Sequence, residues 1–81
     1  MLKIYGSMLC KDCVQCRLDL DKAGVSYTYF DFQDDLKNLK DFLSFRDKLD
    51  IFIPVKGNGS IGIPCIVDEE GNITLNWEQY L

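Results

Sequence analysis

Apolar and polar residues alternate through Leu2, Lys3, Ile4 and Tyr5, the two-residue period of a strand with one buried face, until Gly6 and Ser7 interrupt it. From Leu9 the apolar spacing widens to four-three-four-three through Cys13, Cys16, Leu20 and Ala23, which predicts one face of a helix stopped at Gly24. Residues 25–32, rich in aromatic and β-branched side chains, predict a second strand. Asp34 and Asp35 suit the start of a second helix, whose core side would be Leu36, Leu39, Phe42, Leu43 and Leu49.

Beyond Asp50 the periodicity fails. Ile51-Phe52-Ile53-Pro54 is apolar but interrupted, and Lys56-Gly57-Asn58-Gly59-Ser60 reads as an open, glycine-rich loop expected to be mobile. Residues 61–67 predict a third strand that carries Pro64. Residues 68–72 make a turn into a short fourth strand at 73–75, and the last six residues allow little more than one helical turn. The order is β-α-β-α-β-β-α, with a right-handed crossover in the first unit and a hairpin near the end. That order implies an α/β fold in which helices cover a four-stranded mixed sheet. No repeat, linker or low-complexity stretch divides residues 1–81, so a single domain is expected.

Charge and composition narrow the chemistry. Thirteen acids against nine bases give a net charge of −4 without a basic face, so nucleic acid is not expected as a partner. No stretch is long and apolar enough to cross a membrane. The first residues carry no apolar signal segment, and three of the four cysteines fall within seven residues of one another. A cytoplasmic, reducing setting is therefore expected, where paired thiols are usually catalytic or metal-binding. Histidine is absent, which removes imidazole bases, Cys-His nucleophile pairs and histidine ligands together.

What remains is the run Tyr5-Gly6-Ser7-Met8-Leu9-Cys10-Lys11-Asp12-Cys13, a Cys-x-x-Cys pair where a strand gives way to a helix. First-turn amides have no intrahelical partner, and the helix dipole adds partial positive charge there, conditions that favour thiolates. Cys13 would lie about one turn on, roughly 5 Å away, within reach of a disulfide. Such a pair supports thiol-disulfide exchange: Cys10 attacks a substrate disulfide and Cys13 resolves the mixed disulfide. Lys11 adds a positive charge beside the sulfur while Asp12 acts in the opposite sense, leaving the direction of the net effect open.

With Cys10-x-x-Cys13 opening the first helix and Ile63-Pro64 leading into the third strand about 50 residues later, the chain resembles the thioredoxin superfamily, and by its length a glutaredoxin. The resemblance runs through the whole element order and implies a thioredoxin-like fold and a dithiol-disulfide oxidoreductase. It implies a cis peptide bond before Pro64, which would shape the substrate groove, and a substrate paired to the backbone of Ile63. No tightly bound cofactor is implied. Electrons would come from another thiol system, with glutathione as a possible reductant, and the substrate would be a disulfide-containing protein or small molecule met by a monomer.

The chain departs from the family pattern in three places. Lys11 stands where glutaredoxins commonly have proline after the first cysteine, and Ser7 where they often have lysine. Leu75-Asn76-Trp77-Glu78 replaces the glycine pair and acid that hold glutathione.

The other cysteines allow two readings each. Cys16 shares the apolar stripe of Cys13 and Leu20, as a buried hydrophobe or as a reserve resolving thiol. Cys65 points to one sheet face or the other, which alternation alone does not decide. Were all four sulfurs to converge, a zinc or iron-sulfur site would be the alternative function, although Cys16 lies roughly 9 Å along the helix from Cys10. Lys11, Arg46, Lys48 and Lys56 are candidates to meet a substrate carboxylate, with Lys11 alone beside the thiol. Trp77, Tyr27, Tyr29, Phe30, Phe42 and Phe45 are expected to build the core and its rim.

Overall fold

The computed structural model describes residues 1–57 and 61–81, residues 55 and 56 by their backbone alone. The chain runs β1 (Leu2–Gly6), α1 (Lys11–Lys22), β2 (Tyr27–Asp31), α2 (Leu36–Arg46), a 3-10 turn (Asp50–Phe52), α3 (Ile53–Gly57), β3 (Cys65–Val67), β4 (Ile73–Thr74) and a closing 3-10 turn (Trp77–Tyr80). The sheet order is β2-β1-β3-β4. β1 pairs in parallel with β2, from Leu2 opposite Tyr27 to Gly6 opposite Asp31, and antiparallel with β3, where Tyr5 faces Cys65. β4 returns antiparallel to β3. This is an α/β fold built on a mixed four-stranded sheet.

As an inner strand covered on both sides, β1 buries adjacent residues, which is why Ile4 and Tyr5 are both in the core. Leu2, Ile4 and Ile66 point to one face and meet Cys16 and Leu20 of α1. Tyr5 and Cys65 point to the other and meet Phe42 of α2 and Phe52. The second face is aromatic. Tyr5 stacks on Phe30 at 4.9 Å between ring centroids, and Phe42 meets Phe52 edge-on at 5.8 Å.

Several boundaries differ from the sequence expectation. The first helix begins at Lys11 with Cys10 as its N-cap, so Leu9 belongs to the preceding loop and is 82% exposed instead of joining the core stripe. Ala23, at the C-cap, is exposed too. α2 ends at Arg46, which leaves Leu49 outside the helix, and Leu36 in its first turn faces solvent. β3 starts only after Pro64, since proline has no N–H to give a ladder. The final element is a 3-10 turn and not an α-helix; Asn76 caps it through Glu78 N at 3.1 Å, and Trp77 Nε1 donates to Asp19 Oδ2 of α1 at 2.9 Å.

The aperiodic stretch after Asp50 folds into the 3-10 turn and the short α3, which takes in Lys56 and Gly57 of the expected loop. It shows no amphipathic period because a turn this short needs a single anchor, and Phe52 supplies it. Residues 58–60, the rest of that loop, lie outside the described residues. Among the described residues no helix is long and apolar enough to cross a membrane.

Phe52 is fully buried whereas its neighbour Ile53 is 58% exposed. Phe52→Ala should therefore cost about 3–5 kcal/mol and Ile53→Ala no more than about 0.5, compared by urea unfolding at neutral pH.

Candidate functional site

The chain leaves β1 at Gly6 and turns at once. Cys10 N donates to Ser7 O at 3.0 Å, and Leu9 N donates to Ser7 Oγ at 3.2 Å, which folds the loop so that Cys10 lands on the N-cap of α1. Most N-cap side chains give an oxygen to the first-turn amides. Cys10 sits there in extended backbone (φ −92°, ψ 125°) and its side chain makes no such bond. It remains half-buried, reachable from solvent. Cys13, one turn on, is fully buried over the end of β1. A Cβ at Gly6 would lie 2.7 Å from Cys13 Sγ and 3.0 Å from Tyr29 Oη, so only glycine lets the helix, the strand and the tyrosine meet here.

The two thiols of the pair thus live in different solvents. Burial pushes the Cys13 thiol well above the ordinary range, and the neighbouring Cys10 adds to this; the backbone amide of Ser7 and the Tyr29 hydroxyl act the other way. Cys16 and Cys65 are pushed up to about 12, chiefly by burial. Cys16 packs on the α1 face and Cys65 on the aromatic face, so the four sulfurs do not converge. This also answers which way Cys65 points.

Beside Cys10 opens a groove of about 460 Å³ lined by Ser7, Leu9, Cys10, Phe32, Leu39, Ile61 and Ile63. No charged side chain lines it among the described residues. Of the residues singled out by sequence, Cys10 and Ile63 come together here. Pro64 is buried next to Ile63, and the bond between them is cis. Lys11 is exposed at the first helical position and does not line the groove. Neither do Arg46 and Lys48, and the Lys56 side chain lies outside what is described.

Sequence reasoning missed the groove walls, Leu9, Phe32, Leu39 and Ile61. Leu9 keeps the spacing of the helix stripe although it precedes the cap, and the others come from three separate segments. It also missed Arg17, whose guanidinium lies 4.5 Å from the Tyr29 ring centroid and 5.8 Å from that of Tyr27. Arg17 Nε donates to Tyr27 Oη at 3.2 Å and its Nη1 reaches Met8 Sδ at 3.4 Å, tying α1 to β2 and to the loop that presents Cys10. The signal available was its position, one turn after Cys13.

No protein-family model matches the chain, and no solved structure matches it. An uncharacterized protein of Haemophilus influenzae is 34% identical over 73 residues, which span 90% of this chain and 85% of that protein. The chain belongs to the same family as this Haemophilus protein.

Gly6→Ala should destabilise the fold by about 1–3 kcal/mol, because the added methyl meets a buried sulfur and a buried hydroxyl; urea unfolding measures this. Folded Cys16 and Cys65 keep protons that the unfolded chain releases above the usual value of 9.0. The native state then binds more protons than the unfolded one, so stability is intact at neutral pH and falls as pH rises from about 9 toward 12. Urea midpoints measured from neutral pH to about pH 11 should show this decline, and Cys16→Ala should make it shallower.

Proposed function

We propose that this chain is a small dithiol-disulfide oxidoreductase, a glutaredoxin-like protein of thioredoxin-like fold, in which Cys10 attacks and Cys13 resolves. One observation carries the reading: a half-exposed, uncommitted thiol at a helix N-cap forms the wall of a groove, and a second thiol lies buried one turn behind it. The first can meet a substrate and the second cannot, which is the asymmetry the two steps require. The Cys10 thiolate attacks one sulfur of a substrate disulfide, and the other leaves as a thiolate that takes a proton from water. Cys13 then loses its proton and attacks Cys10 Sγ, which expels the second substrate thiol and closes the Cys10–Cys13 disulfide. The substrate gains two electrons and the protein loses them, to be restored by an external thiol. The four-stranded mixed sheet with helices over its faces is compatible with a thioredoxin-like fold.

The groove lining supports a polypeptide disulfide with apolar neighbours over glutathione. Glutathione carries carboxylates and an ammonium, and this groove offers them no charged partner. The apolar walls suit a leucine- or phenylalanine-sized side chain beside the substrate cysteine. The geometry gives less support to a four-cysteine metal site, since Cys16 and Cys65 sit on opposite sides of the sheet.

Reduction of a disulfide peptide with leucine beside its cysteine should be at least about tenfold more efficient than that of its glutamate analogue, and glutathione disulfide should be a poor substrate. Cys10→Ser should abolish the reaction, whereas Cys13→Ser should accumulate a mixed disulfide visible by intact mass. Full activity in Cys10→Ser would refute the assignment.

A further inference from the structure

We infer that the Tyr29 hydroxyl is the hydrogen-bond donor that receives the Cys13 thiolate in the resolving step, an assignment that rests on the oxidoreductase reading above. Tyr29 Oη is buried and has no hydrogen-bond partner of regular geometry. A buried hydroxyl left without a partner is costly, and native proteins keep few of them. What it faces explains why this one is kept. Tyr29 Oη and Cys13 Sγ lie 3.0 and 2.7 Å from the point a Cβ on Gly6 would occupy, so the two atoms share the corner that the missing side chain of Gly6 leaves open. A neutral thiol is a weak acceptor, whereas a thiolate is a strong one. The hydroxyl is therefore poorly satisfied in the resting reduced protein and well satisfied at the moment Cys13 ionises to attack.

The surroundings of the pair favour the same direction. Arg17 of α1 holds its guanidinium over the Tyr29 ring and is fixed there by Tyr27, so positive charge lies against the phenol and strengthens it as a donor. The other groups that face these atoms are the Ser7 backbone and Cys10 from the loop and Asp31 from β2. Burial above all keeps the proton on the tyrosine, with Asp31 adding to this and Arg17 opposing it, and the Ser7 backbone assists the sulfur. In the step itself the Cys13 proton goes to solvent, and Tyr29 lends a hydrogen bond without giving up its own proton. Sγ of Cys13 bonds to Sγ of Cys10, and the bond from Cys10 to the substrate sulfur breaks.

The test isolates that step with a probe that does not need the groove. Methyl methanethiosulfonate converts reduced Cys10 to its methyl disulfide and releases methanesulfinate; Cys13 then expels methanethiol, followed by intact mass across pH. Tyr29→Phe keeps the ring under Arg17 and removes only the hydroxyl. It should slow methanethiol release at least about tenfold at neutral pH and move the rising limb of the pH profile up by about one unit. The labelling rate of Cys10 should not change. The urea midpoint of the variant should equal or exceed that of the parent, since an unsatisfied hydroxyl has gone.

Release in Tyr29→Phe at the parent rate and pH would overturn the inference and leave the oxidoreductase reading standing. Slow release that tracks a lowered urea midpoint would overturn it as well, by making Tyr29 a packing residue. A parent protein that never releases methanethiol would remove both. A fluorotyrosine at position 29, close in size and a stronger donor, should release methanethiol no more slowly than tyrosine; slower release would count against the donor role.

Discussion

The missing side chain at Gly6 lets the first turn of α1 settle onto the end of β1. That contact sets the depth of Cys13, and the depth of Cys13 fixes the height at which Cys10 emerges one turn earlier. Because β1 is an inner strand, held by β2 on one side and β3 on the other, its end is a rigid platform. The loop 7–10 is short and internally bonded through Ser7, so it cannot absorb a displacement of the helix. A methyl group at one backbone position would be transmitted to both thiols.

The sheet divides the interior into two environments of different composition. The α1 face mixes aliphatic side chains with sulfur, tyrosine and a guanidinium. The other face is a set of aromatic rings around Phe42 and Phe52. Phe32, just past the end of β2, and Leu39 of α2 belong to that aromatic side and also line the groove. Part of the groove's apolar character is thus a continuation of the core, and the exposed Leu9 and Ile61, which belong to neither cluster, supply the rest.

Much of this order was legible in the sequence where a period was long enough to count. The alternation at residues 2–5 and the stripe Cys13, Cys16, Leu20 marked β1 and α1, and the Cys-x-x-Cys pair marked the junction between them. Leu9 misled because it keeps helical spacing while lying one residue before the cap, and spacing cannot tell a helix face from a loop wall. Phe52 was invisible as an anchor since a single buried residue makes no pattern. Tyr29 read as a core aromatic, and its ring does pack there. That its hydroxyl would meet Cys13 depended on the parallel register of β1 and β2, which no local signal specifies.

The hydrogen bond from Trp77 to Asp19 has a consequence of its own. Trp77 is the single tryptophan of the chain, and its indole joins the closing 3-10 turn to the C-terminal half of α1, the helix that carries Cys13 and is capped by Cys10. The C-terminal turn is thereby fastened to α1 as well as to the sheet, which it meets through Thr74 of β4 and the core around Ile4 and Ile66. Fluorescence from that one indole makes the molecule its own gauge of helix position, readable in dilute solution without a label.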